Sequence, residues 1–96
     1  MKGKLHEIQG QKIVACCDKE LVGKVIKGGG AEVEARKEFY GDSVVDERWL
    51  DASLGEAANA NLLGEKVVGA AIKMGYIKNE DVIKLAGVPH AQIFRI

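Results

Sequence analysis

The stretch from Ser53 to Gly75, SLGEAANANLLGEKVVGAAIKMG, constrains the fold more than any other. It reads as one long helix. Ser53 and Glu56 have the spacing of a capping box, in which each side chain satisfies a free backbone N–H of the first turn. Gly75 stands where a left-handed C-terminal residue is wanted. At about 100° per residue, Ala60, Leu63, Gly64, Val67, Ala70, Ala71 and Met74 share one side, and Val68 and Ile72 widen it. An apolar arc of about half the circumference asks for burial against two elements. Asn59 and Asn61 fit this helix poorly, because Asn disfavours helix interiors. Either the helix begins later, with one of them as its cap, or Asn61 is kept for a hydrogen bond.

The flanking segments read mostly as strands. Met1 to Ile8 and Gln11 to Cys17 form a hairpin around Gln9-Gly10. Ile13, Ala15 and Cys17 alternate with Lys12, Val14 and Cys16, and two fairly apolar faces mark a central strand. Asp18 can cap a short helical turn through Val22, ended by Gly23. Ala31 to Tyr40 alternates, with Val33, Ala35 and Phe39 on one face and Glu32, Glu34, Arg36 and Glu38 on the other, which predicts an antiparallel strand with one wet face. Asp46 to Asp51 is a short helix. Val82 to Ala86 and Gln92 to Ile96 are the last strands, with Gly87-Val88-Pro89-His90 as the turn between them; a helical turn starting at Asn79 is the alternative for 80–86. The expected fold is α+β: a small mostly antiparallel sheet packed against one long helix and one or two short helices. At this length and 47% hydrophobic content, residues 1–96 are expected to be a single domain.

Charge narrows the choice of partner. The formal net charge is zero, so nothing in bulk draws the chain to nucleic acid or acidic lipid. The charge is unevenly placed, however. Residues 1–30 carry six lysines against Glu7, Asp18 and Glu20, a net of +3. Residues 31–65 carry Arg36, Lys37 and Arg48 against nine acids, a net of −6, and residues 66–96 return to +3. Lysines of the two ends are expected on one side of the fold, where RNA binding would weaken steeply with salt. With no apolar signal segment after Met1 and no run long enough to span a bilayer, a soluble cytoplasmic protein without a membrane partner is expected.

Few residues suggest chemistry. Cys16 and Cys17 are adjacent, so they point to opposite faces of a strand and cannot easily share one metal. Burial as packing residues is the expectation, with no metal and no cofactor. Gly28-Gly29-Gly30 could offer backbone N–H groups to a phosphate, but phosphate loops lead into a helix and this one leads into a strand, so a plain hairpin connection is expected. His90 follows the only proline, Pro89, on what reads as a stiff turn, where it could act as acid, base, ligand or stacking partner. Asn61 and Glu65 are four apart on one helical face. Asn61, Glu65, Pro89, His90 and Gln92 are therefore the candidate binding residues, with Glu65 orienting the imidazole or raising its pKa. No residue is assigned as catalytic.

Four blocks carry a resemblance. They are Ile13 to Lys24 (IVACCDKELVGK), Glu38 to Gly41 (EFYG), Ala60 to Glu65 (ANLLGE) and Gly87 to Gln92 (GVPHAQ). Together they resemble a family of small archaeal proteins known as domain of unknown function 424, over nearly the whole chain. The resemblance implies a cytoplasmic archaeal protein with an α+β fold, and a loose association with genes of the translation machinery. It supplies no catalytic residues.

The leading expectation is a binding module that works with RNA or a ribonucleoprotein. A small enzyme using His90 with Asn61 and Glu65 is the second reading, and lacks a nucleophile–base pair at readable spacing. A homodimeric assembly factor is the third, since a short chain with an open sheet often covers an edge with a partner.

Overall fold

The computed structural model describes residues 1–95. Its centre is a strand that lies inside the expected long helix. Helix α2 (Glu47–Glu56) ends early, β5 (Asn59–Leu63) follows, and helix α3 (Glu65–Lys73) begins directly after Gly64. The continuous helix from Ser53 to Gly75 therefore does not exist. Ala60 and Leu62 point one way along β5, and Asn59, Asn61 and Leu63 the other. That period-2 pattern satisfies two asparagines that a helix would not. The i, i+3, i+7 spacing of Ala60, Leu63 and Val67 imitates a helical stripe only because two different elements meet at Gly64.

The sheet has five strands in the order β1 (Lys2–Ile8), β2 (Gln11–Cys17), β5, β7 (Val88–Phe94) and β6 (Ile83–Leu85). It is mixed, rather than a mostly antiparallel sheet under one long helix. β2 and β5 run parallel, with Ala15 opposite Asn61, while the other pairs are antiparallel. A second, two-stranded hairpin joins β3 (Val25–Gly28) to β4 (Ala31–Glu34). The strand expected over 31–40 stops at Glu34, and Lys37–Tyr40 forms one helical turn, α1. A strand would send Phe39 and Tyr40 to opposite faces; the turn lets both pack toward the sheet.

Two layers bury the sheet. On one face Val14, Cys16, Ala60, Leu62 and Ala91 pack against Leu50 and Leu54 of α2 and Val67, Val68 and Ala71 of α3. On the other, Ala15, Cys17 and Leu63 pack against Tyr40, Ala35 and Ile26. The β3–β4 hairpin reaches the β6–β7 turn, where a Cβ on Gly28 would stand 2.8 Å from the Ala86 carbonyl oxygen. The three glycines thus form a plain hairpin connection with a close backbone contact at Gly28. β6 falls within the expected strand, but β7 starts at Val88, so the turn is Ala86-Gly87 and His90 sits inside a strand. The strand expected over 92–96 ends at Phe94, and its last residue, Ile96, lies outside the described residues.

Candidate functional site

Three of the five candidate residues share one face. Asn61 of β5 lies opposite Gln92 of β7, and His90 lies opposite Leu63. The Tyr40 hydroxyl donates to Asn61 Oδ1 at 2.6 Å, and His90 Nε2 approaches the same oxygen at 3.2 Å. An oxygen accepts both contacts, so Nε2 carries the proton and Nδ1 is left bare. Nδ1 is buried and has no hydrogen-bond partner among the described residues. Burial pushes the His90 pKa down, with no contribution from a carboxylate. Burial also drives the Tyr40 phenol up. The cluster ties α1, β5 and β7 together and holds no activated group.

Glu65 stands apart from it. It opens α3 at the end of the sheet, exposed, beside Pro89 and a cleft of about 190 Å³ that Asp18, Glu20, Leu21, Gly87 and Val88 complete. It neither orients the imidazole nor raises its pKa. The expected five-residue site is two places: Asn61, His90 and Gln92 on the hairpin side, Glu65 and Pro89 where α3 begins.

The imidazole has a consequence for stability. Its folded pKa lies below the unfolded value of about 6.5. Between the two, the unfolded chain binds the extra proton, so stability is full above about pH 6.5 and is lost as pH falls. The urea midpoint is expected to drop between about pH 7 and about pH 5, and His90→Gln to remove part of that drop. Identical pH profiles for both proteins would contradict this.

Asp18 is the anchor that sequence reasoning misplaced. It makes no side-chain cap on its own 3-10 turn, Lys19–Leu21. Instead its carboxylate accepts from the backbone N–H groups of Lys66 and Val67, at 3.0 and 2.9 Å, and so caps α3 across the sheet. Its own N–H donates to the Leu63 carbonyl, which locks the ends of β2 and β5 together.

The cysteines are packing residues on opposite faces, both free and fully buried. Burial, with Asp18 adding to it at Cys17, pushes both thiols up to about 12, so neither is a nucleophile at neutral pH. Among the described residues no three His, Cys, Asp or Glu side chains converge to hold a metal ion. No helix among them is long and apolar enough to cross a membrane.

The more open site lies at the other edge. A cleft of about 590 Å³ between β1 and α1 is lined by Gly3, Lys4, Lys37, Glu38, Asp42 and neighbours. Lys4 and Lys37 line it, and Lys2 reaches its Asp42 from beside it. Lys2 Nζ meets Asp42 at 2.5 Å and Lys37 Nζ meets it at 3.4 Å. Lys4 Nζ donates to the Glu38 carbonyl at 3.3 Å. The hydrogen bonds from Lys2 and then Lys37 hold the Asp42 carboxyl below its usual range. Asp42 thus faces two cations, and Glu38 is the second acidic residue of the lining. Beside the cleft His6 stacks on Phe39, with centroids 5.2 Å apart and planes 20° from parallel. The His6 ring Nε2 lies 2.7 Å from the Phe39 carbonyl oxygen, which accepts its hydrogen. Lys2 and Lys4 belonged to the basic first block, but Lys37 lies in the acidic one, and only folding brings it to them. The two basic ends do not share an edge: β1 and β6 bound the sheet on opposite sides.

Comparison with known proteins places the chain among uncharacterised relatives. The model of a family described as "Protein of unknown function (DUF424)" matches residues 6–96. A solved structure described as an uncharacterized conserved protein from Methanopyrus kandleri has the same fold, with a TM-score of 0.80 and 22% identity over 96% of this chain and 88% of that one. No curated protein matches.

Proposed function

We propose that this chain, which belongs to the DUF424 family, is a small cytoplasmic binding module that holds RNA by its phosphates in the β1–α1 cleft. The observation that carries the reading is an open cleft lined by Lys4 and Lys37, with Lys2 beside them on Asp42. Lysine ammonium groups on an open cleft release counterions when phosphates replace water there. The half-exposed His6–Phe39 pair beside them supports a ligand with flat rings as well as charge. The two free thiols support a reducing compartment.

A titration against a short single-stranded oligonucleotide tests the reading. Three phosphate contacts give a log–log salt slope of roughly −2. Lys4→Gln and Lys37→Gln should each reduce the slope by about 0.7 and weaken binding, with little change in melting temperature because both side chains are exposed. Unchanged affinity in the double variant would overturn it.

A further inference from the structure

We propose that the uncovered strip of sheet from the His6–Phe39 ring pair to Phe94 is a stacking platform for single-stranded RNA. This rests on the phosphate-binding reading of the β1–α1 cleft, and extends the ligand from that cleft across four strands.

The register sets the strip. His6 lies opposite Ile13, Ile13 opposite Asn59, and Asn59 opposite Phe94. These four form one row across β1, β2, β5 and β7. Their chain neighbours Val14, Ala60 and Ile93 pack on the α2–α3 side, so the row itself faces the other way. At about 4.8 Å per strand the row is roughly 14 Å long, enough for a few stacked nucleotides.

The covering layer meets this row only at its β1 end, where Phe39 stacks on His6; Ile13 and Asn59 are half-buried, and the row opens fully at Phe94. The β3–β4 hairpin sits toward the β6–β7 turn, and α1 covers Ala15 and Asn61 through Tyr40. Phe94 is left 71% exposed, more than any other described aromatic side chain, and Gln92 beside it is exposed as well. An exposed ring on a flat sheet face gives a base a π-surface to stack on. The amides of Asn59 and Gln92 flank that ring, and can meet base edges and a ribose 2′-hydroxyl. Charge complementarity selects the occupant. The row begins beside a cleft lined by Lys4 and Lys37, with Lys2 on its Asp42, which suits a chain that bears phosphates along its length and rings along its side. Duplex RNA hides its base faces and cannot use such a strip.

The test is a titration with a fluorescent oligouridine, with unlabelled single-stranded and duplex RNA as competitors. Phe94→Ala should bind roughly tenfold more weakly with the salt slope unchanged, Phe94→Tyr should bind like the parent, and duplex RNA should fail to compete. If Phe94→Ala binds like the parent while Lys4→Gln/Lys37→Gln binds weakly, the platform is overturned and the cleft reading survives. If neither variant changes affinity, both fall. Should sedimentation find a dimer that Phe94→Ala makes monomeric, the strip is an interface with a second copy and the platform is overturned.

Discussion

Gly64→Ala is expected to cost about 3 kcal/mol or more, which for a domain of this size is a large part of its total stability. Gly64 sits between β5 and α3 with φ of 117°, outside the range that L side chains adopt readily. That conformation alone costs a substituted residue about 1–3 kcal/mol. The added Cβ would also stand 2.3 Å from Asp18 Cγ and 2.5 Å from Oδ1. It can fit only if the carboxylate moves, and the carboxylate is what caps α3. Strain and the loss of the cap therefore add. The melting temperature should fall by roughly 12 °C or more. A variant that melts with the parent would show that the strand-to-helix junction is not built as described.

Asp18→Ala is the second large effect. Asp18 is 4% exposed, and its carboxylate accepts two backbone N–H groups that have no other partner in the first turn of α3. Removing it leaves one buried and one part-buried donor unpaired, at a cost of about 2–4 kcal/mol. Asp18→Asn keeps one acceptor oxygen and should lie between Ala and the parent in chemical denaturation. If Asp18→Ala and the parent share a midpoint, the carboxylate does not hold α3 against the sheet.

These two positions also explain which parts of the fold were legible. The β1–β2 hairpin was readable from alternation and Gln9-Gly10, because both signals are local. Cys16 and Cys17 were readable as packing residues for the same reason. β5 was not, because its five residues carry strand pattern and helix spacing at once. Pairing with β2 and β7, far away in sequence, decides between them. The misfit of Asn59 and Asn61 in a helix was the one local clue. The split at Gly64 then moved Glu65 away from Asn61, and the expected site with it. Tyr40 and Lys37 escape a sequence reading because the alternation from Ala31 to Tyr40 has the period of a strand, while Lys37–Tyr40 forms a helical turn. Contacts such as Asp18 to Val67 span 49 residues and leave no periodic trace in the chain.

The central claim is that one face of this sheet holds RNA, with phosphates at the lysine cleft and bases along the row to Phe94. Amide chemical-shift mapping during a titration with oligouridine tests it most directly. The account predicts graded shifts at Lys4, His6, Lys37, Phe39, Asn59 and Phe94 that shrink as salt is raised. Shifts confined to α3 and the Glu65–Pro89 cleft, or none on any residue, would contradict it.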